Sequence, residues 1–194
     1  MTRPHRNPRA GRAAGWSHVD PSSGASRMVD VGSKRATRRS ALARARVRFP
    51  AGILERVRDE GGPKGAVTEV ARAAGILAAK RTDELIPMCH TLPVDHVAIS
   101  FDAVGPDVLE VRCRVTCTGR TGVEMESLVG ASVAALTVYD MTKALDKGIR
   151  IECVELLEKS GGKSGVWTAP HHSADEGPAP PSSEAHGEAG DGPD

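Results

Sequence analysis

One stretch of the chain, residues 118–147, has carboxylates near both of its ends and a lysine beside the second. Glu124 and Glu126 stand near its start, and Asp140 and Lys143 stand near its end. The stretch contains no proline, and its apolar residues recur near helical spacing, which predicts one long helix. Asp140 and Lys143 are three residues apart and therefore adjacent on this helix, where a carboxylate can orient a lysine for proton transfer.

The distance between the two charged ends limits how they can work together. Glu126 and Asp140 are fourteen residues apart, which places them on nearly the same helix face. At the rise of an α-helix they are separated by about 21 Å along the axis. One small-molecule pocket cannot easily take both ends of the same helix. We therefore expect two copies to pack antiparallel through the small residues at 130–135, with sites at the subunit interface.

Two shorter segments carry further candidates. Lys64 follows a Gly-Gly-Pro turn at the predicted start of a helix, where the helix dipole favours anions. Its position fits a functional lysine, and a surface lysine remains the alternative. Cys89 and His90 lie in a segment bracketed by prolines, with either a structural or a site role. One Cys-His pair is too small to be a metal site, and the chain contains no zinc-like CxxC pair.

Residues 159–165, Lys-Ser-Gly-Gly-Lys-Ser-Gly, contain a Gly-Lys-Ser triplet that invites comparison with a P-loop. A P-loop requires a glycine five positions before Gly162, where Leu157 stands. No helix is predicted to follow. The segment instead predicts a flexible, doubly basic loop whose backbone N–H groups can clamp phosphates.

The remaining pattern gives the elements that must position these groups. Alternating residues predict strands at Val94–Val104, Val108–Thr118 and Ile149–Leu157, and the alternation of arginines in Ala43–Phe49 predicts an edge strand. Those arginines form a solvated face, or some of them meet an anionic ligand. Helices are predicted at 50–60, at 64–81 and from 123 to Gly148. This order favours an α+β fold, a ferredoxin-like antiparallel sheet with helices packed on one face.

Composition divides the chain into three parts. Residues 1–27 are arginine-rich and residues 170–194 are acidic, and neither has apolar periodicity, so both are predicted to be disordered. Residues 28–169 form the predicted catalytic domain, and Met28 resembles a domain start more than Met1 does. No apolar run of about 18 residues and no secretory signal is present, so we expect neither a membrane partner nor export from a reducing cytoplasm.

Four motifs, in order, resemble the cyclic pyranopterin monophosphate synthase family of molybdenum cofactor biosynthesis. They are residues 79–90, 121–126, 139–143 and 159–165. The resemblance implies a ferredoxin-like subunit in a hexamer, a trimer of dimers, with sites between subunits. It implies a cytoplasmic lyase that converts (8S)-3′,8-cyclo-7,8-dihydroguanosine 5′-triphosphate to cyclic pyranopterin monophosphate with release of pyrophosphate.

The resemblance also implies roles for individual residues. Asp140, Lys143 and Lys64 match the catalytic positions. The matching substrate-binding positions are Met88, Cys89, His90, Glu124, Met125, Glu126, Lys159 and Arg39. Lys163 joins Lys159 and Arg39 as a cation for the triphosphate. No redox cofactor or protein-bound metal is expected, although a divalent ion such as Mg²⁺ could assist the triphosphate. The family more often has Leu at Met88 and Pro at Thr91, and the second difference changes the backbone after His90.

Two other classes of function compete with this interpretation. A nucleotide-binding regulatory module would explain the basic loop, but it gives no reason for Asp140 and Lys143 beside each other. Nucleic-acid binding would use the arginines of residues 1–48. The chain has almost no aromatic residues for base stacking, so a nucleic-acid partner is not expected.

Overall fold

The computed structural model describes residues 19–20, 22–59 and 61–172. The predicted disordered segments, 1–27 and 170–194, lie largely outside these residues. The described chain forms the strands and helices β1 Thr37–Arg48, α1 Ile53–Asp59, α2 Val67–Lys80, α3 Thr82–Leu85, β2 Val94–Ala103, β3 Val108–Gly119, α4 Glu124–Thr142, β4 Arg150–Ser160 and β5 Trp167–Thr168.

The strands form one sheet in the order β2-β3-β1-β4-β5, and all neighbouring strands are antiparallel. Helix α2 packs beside α4, α4 contacts β1, β3 and β4, and α2 contacts β2. This arrangement confirms the predicted α+β fold with helices on the sheet. The predicted edge position of β1 was wrong, since β1 pairs with β3 on one side and with β4 on the other.

The arginines of β1 are accommodated in the middle of the sheet because neighbouring strands supply glutamates. Glu110 on β3 is fully buried and accepts hydrogen bonds from Arg112 Nε (2.6 Å) and Arg46 Nε (2.8 Å). Arg44 Nε donates to Glu155 Oε1 at 2.8 Å. Burial alone would raise the pKa of Glu110, but the two arginines outweigh it and hold that pKa below its usual value. The predicted half-buried pattern of β3 was therefore wrong, because its polar side is also enclosed.

The opposite side of the sheet is covered by the small residues of α4. Ala131, Ala134 and Ala135 have no exposed surface. A Cβ atom on Gly130 would lie 2.6 Å from Cys113 Sγ, and one on Gly75 would lie 2.8 Å from the Gly130 carbonyl oxygen. These two glycines let α2 and α4 pack close to each other and to the sheet.

Helix α4 ends earlier than predicted. Its last residue is Thr142, whereas the sequence predicted a helix reaching Gly148. The Lys143 N–H donates to Tyr139 O, and the Leu145 N–H then closes a tighter turn on Thr142 O. The sequence predicted no strand after the glycine-rich loop at 159–165, whereas β5 there pairs with the end of β4.

We predict that Gly75→Ala lowers the free energy of unfolding although alanine favours helix. A new Cβ would lie 2.5 Å from Ile99 Cδ1 as well as against α4, so α2 must shift. Overpacking of this kind costs about 1–3 kcal/mol. Urea unfolding of the variant measures this loss, with Arg58→Ala on the exposed side of α1 as the control. An unchanged or increased stability of Gly75→Ala would contradict the close packing of the two helices.

Candidate active site

One group of predicted residues lies at the C-terminal end of α4. Asp140 stands between two lysines: Lys143 Nζ donates to Oδ1 at 2.5 Å, and Lys64 Nζ donates to Oδ2 at 2.7 Å. Lys64 Nζ is also 3.2 Å from the Asp140 carbonyl oxygen. All three side chains are about half exposed. We call Lys64, Asp140 and Lys143 the lysine–aspartate trio.

A tight turn brings Lys64 to this helix end. Lys64 was expected at the start of α2, but that helix begins at Val67. The lysine instead lies between Gly62 and Gly65, whose backbones exchange hydrogen bonds of 3.2 and 2.9 Å. Gly65 has a φ of 101°, in the left-handed region that favours glycine. The turn holds Lys64 against Asp140, 76 residues away in sequence.

Asp140 and Lys143 are both charged at neutral pH. The hydrogen bond from Lys143, and then that from Lys64, lowers the pKa of Asp140 to about 2. The same contact with Asp140 raises the pKa of Lys143 above its usual value. In this arrangement Lys143 is an acid that can donate a proton, and it becomes a base only when another charge offsets Asp140.

A second group of predicted residues lies at the other end of α4, around a cavity of about 720 Å³. Arg39, Glu124, Lys159 and Lys163 line it together with the glycine-rich loop at 159–165. Lys159 Nζ donates to Glu124 Oε1 at 2.9 Å. We call this space the cationic cavity.

The glycine-rich loop is shaped around Arg39. Arg39 Nη1 donates a hydrogen bond to the Gly161 carbonyl oxygen at 3.3 Å. A Cβ on Gly162 would lie 2.0 Å from Nη1, so a side chain there would collide with the guanidinium group. Gly161, Gly162 and Gly165 all have positive φ. Two buried atoms in the wall of the cavity, Arg39 Nε and Thr37 Oγ1, have no hydrogen-bond partner among the described residues.

Sequence reasoning missed three cations of the cavity: Lys34, Arg35 and Arg120 also line it. Lys34 and Arg35 directly precede β1, and Arg120 lies in the turn between β3 and α4. Only their position in the chain could have indicated them. Lys34 and Arg35 lie within three residues of β1, which carries Arg39, and Arg120 lies four residues before Glu124. Periodicity carries no information about such loop positions.

A third group of predicted residues lies where the segment after α3 meets the start of α4. Its members are Met88, Cys89, His90, Met125 and Glu126. His90 Nε2 lies 2.7 Å from Val29 O and must donate, because a carbonyl oxygen only accepts. Burial, then the charges of Glu126 and Asp83, raises the pKa of the Cys89 thiol.

Glu126 is the least ordinary carboxyl group of the site. It is only 4 % exposed, and its Oε2 has no hydrogen-bond partner among the described residues. Burial raises its pKa to about 7, with further contributions from the negative charges of Glu124 and Asp83. A buried carboxyl group without a cation partner can donate a hydrogen bond when protonated and accept one when charged.

The structure thus brings the predicted residues together in two places, not one. The nine predicted binding residues lie around the start of α4 or the loops beside it, and the lysine–aspartate trio lies at its other end. The rise of the helix keeps Glu126 and Asp140 about 21 Å apart. A single subunit therefore does not hold all the predicted groups within reach of one small molecule.

Within the described part of the chain, no group of three or more His, Cys, Asp or Glu residues could hold a metal ion. None of its helices is both long and apolar enough to span a membrane.

Known proteins match most of this chain. The sequence model of the MoaC family matches residues 28–162. The chain is 53% identical over 152 residues to a cyclic pyranopterin monophosphate synthase of Novosphingobium aromaticivorans, covering 78% of this chain and 96% of the relative. It is 52% identical over 153 residues to that of Chloroflexus aggregans (78% and 92% covered) and 49% identical over 164 residues to that of Xanthomonas oryzae (84% and 99%).

We predict that Glu126 makes the folded chain less stable as pH rises. Between the ordinary glutamate pKa of 4.5 and about 7, the folded state keeps a proton that the unfolded state has lost. The free energy of unfolding therefore falls as pH rises through this window, by an amount on the order of 2 kcal/mol. Glu126→Gln should remove this contribution.

Urea unfolding at pH 5 and pH 8 gives the change in the free energy of unfolding for the unaltered chain and for Glu126→Gln. The difference between these two changes measures the effect. Glu55→Gln is the matched control, since Glu55 is exposed on α1 and does not contribute to the raised pKa of Glu126. Equal pH dependence in the unaltered chain and in Glu126→Gln would show that the buried carboxyl group is not the cause.

Proposed function

The chain belongs to the MoaC family, and on that premise we propose that its two groups of site residues carry out the reaction of a cyclic pyranopterin monophosphate synthase. The chain is a lyase of molybdenum cofactor biosynthesis. It converts (8S)-3′,8-cyclo-7,8-dihydroguanosine 5′-triphosphate to cyclic pyranopterin monophosphate and releases pyrophosphate. The observation that carries the assignment of roles is Asp140 held between two lysines at the end of α4.

The substrate has two ends of different chemistry, and the start of α4 offers a place for each. The triphosphate fits the cationic cavity, where Arg39, Lys159 and Lys163 can make charge-assisted hydrogen bonds to phosphate oxygens. The guanine-derived ring presents N–H and carbonyl groups. Glu126 and His90, on the buried side of the helix start, can pair with such groups.

The reaction itself needs protons moved on and off nitrogen and oxygen. The purine-derived ring opens and a new ring closes, and a ribose-derived hydroxyl attacks the α-phosphate and expels pyrophosphate. Lys143, kept protonated by Asp140, is suited to donate a proton to a leaving nitrogen or oxygen. Lys64 shares the same carboxylate, so Asp140 can orient both lysines and balance the charge when one gives up its proton.

We propose that each complete site forms between two subunits. Antiparallel packing of α4 on its copy would bring the trio of one subunit to the cationic cavity of the other. The small residues at 130–135 do not provide this contact as expected, because Gly130, Ala131, Ala134 and Ala135 are buried within the subunit. The outer faces of α2 and α4 support the arrangement instead, because Leu136, Leu77 and Val70 are about half exposed there. The partner's cavity would also supply positive charge near Lys143, which lowers a lysine pKa and opposes the effect of Asp140. Three such dimers would make the hexamer implied by the resemblance.

We propose that the enzyme works in the cytoplasm without a redox cofactor and without a protein-bound metal. A divalent cation such as Mg²⁺ would be carried by the triphosphate. Nucleic acid is not a proposed partner, because the β1 arginines Arg44, Arg46 and Arg48 bind glutamates of neighbouring strands. A regulatory nucleotide-binding module would bind the substrate but release no pyrophosphate.

We predict that Lys143→Ala and Lys64→Ala each lower kcat by at least about 100-fold, since each removes a group that moves protons. Both side chains are half exposed, so the variants should keep the fold and the oligomer mass. Pyrophosphate release from the purified cyclic nucleotide is the measurement. Lys147→Ala, an exposed lysine after the same helix, is the control. Full activity in either of the first two variants would remove that lysine from the mechanism.

We predict that two inactive variants complement each other when mixed. Lys143→Ala spoils the trio, and Lys159→Ala spoils the cationic cavity. A hybrid pair would contain one site with neither change, so random assortment after dissociation and reassembly should restore about a quarter of full activity.

The mixture is compared with each variant taken through dissociation and reassembly alone. Activity no greater than the mean of those two samples would mean that each site is built within one subunit. The double variant Lys143→Ala/Lys159→Ala, mixed with either single variant, should restore nothing.

A further inference from the structure

We propose that Arg35 and Arg120 bind the two outer phosphates of the substrate, the part that leaves as pyrophosphate. This inference rests on the proposed function and adds two binding residues to it. Both side chains line the cationic cavity, and neither belongs to the residues predicted from the sequence.

The charge of the cavity calls for an anion with several negative charges. Six cations line it: Lys34, Arg35, Arg39, Arg120, Lys159 and Lys163. Its lining contains one carboxylate, Glu124, which is already paired with Lys159. A single phosphate cannot contact so many cations, whereas a phosphate chain can. The volume of about 720 Å³ also lies within the range of about 300–1,000 Å³ that is usual for small-molecule sites.

The cations lie at two depths, which assigns them to different phosphates. Arg39 and Lys159, the inner pair, are partly buried, and Lys159 donates to Glu124, the first residue of α4. Through Glu124, Lys159 is tied to the start of α4, where the ring end of the substrate is proposed to bind. Arg35 and Arg120 are exposed at the rim. A triphosphate with its ring at the start of α4 then meets the inner pair with its α-phosphate and the rim arginines with its β- and γ-phosphates.

Both rim arginines are held in place by contacts of their own backbone segments. Arg120 O accepts a hydrogen bond from Arg39 Nη2 at 3.5 Å, which ties the turn after β3 to the inner pair. Arg35 stands between two fixed points: β1 begins two residues later at Thr37, and the Lys34 N–H closes a turn on Val31 O at 3.0 Å. Their guanidinium groups can therefore form bidentate contacts with phosphate oxygens without ordering a long loop.

Binding of inorganic pyrophosphate to the full chain tests the proposal without any turnover. Isothermal titration calorimetry should show Arg35→Ala and Arg120→Ala each weakening pyrophosphate binding by about fivefold, and the double variant by more than either, as expected for half-solvated charge-assisted contacts. Binding of inorganic phosphate should change less. In the turnover assay, inhibition by added pyrophosphate should weaken by the same factors.

Arg150→Ala is the matched control. Arg150 is an exposed arginine on β4 opposite Arg48, at the end of β1 that is farthest from the cavity. The proposal is overturned if the unaltered chain does not bind pyrophosphate, if both rim variants bind it as tightly as the unaltered chain, or if Arg150→Ala weakens it equally. The last result would mean that only net charge matters.

Failure of this inference and failure of the proposed function give different results. Normal turnover together with unchanged pyrophosphate binding in both rim variants removes the roles of Arg35 and Arg120 alone. Pyrophosphate binding that depends on these arginines, in a chain that releases none from the cyclic nucleotide, removes the lyase activity and leaves a polyphosphate-binding cavity.

Discussion

The fixed length of helix α4 is the constraint on which the site depends. A helix of 19 residues cannot bend its two ends into one pocket, and here each end carries a different part of the chemistry. Its C-terminal end presents Asp140 to two lysines, while its N-terminal end presents Glu124 to the cationic cavity and holds Glu126 buried beside it. The proposed pairing of subunits follows from this separation, since a second copy supplies the missing half at each end.

The rest of the fold holds that helix close to the sheet. Gly75 and Gly130 remove the side chains that would separate α2 from α4, and the alanines of α4 lie flat on the apolar side of the strands. On the other side, Glu110 neutralises arginines from β1 and β3, so a strand rich in positive charge can occupy the centre of the sheet. Buried charges of this kind are tolerated because their hydrogen bonds are satisfied.

Local patterns in the sequence predicted β1 to β4, the helices α1, α2 and α4, the fold class and the adjacency of Asp140 and Lys143, but neither α3 nor β5. They could not predict what depends on partners distant in sequence. Alternating arginines look alike on an edge strand and on a central one, and only the glutamates of β3 and β4 decide between them. Lys64 meets Asp140 from 76 residues away, and Arg39 meets Gly161 from 122 residues away. The rim cations Arg35 and Arg120 belong to no periodic pattern, so only the cavity reveals them.

The hydrogen bond between His90 and Val29 uses a donor that the proposed site offers to the substrate. Nε2 has one proton to give, and the backbone carbonyl of Val29 already takes it. A substrate atom that accepts this proton must replace the Val29 carbonyl oxygen, which then hydrogen-bonds to water. Binding at His90 therefore exchanges one hydrogen bond for another. Such an exchange adds little to affinity. It contributes to specificity, because a molecule without a hydrogen-bond acceptor at that place cannot replace the Val29 carbonyl oxygen.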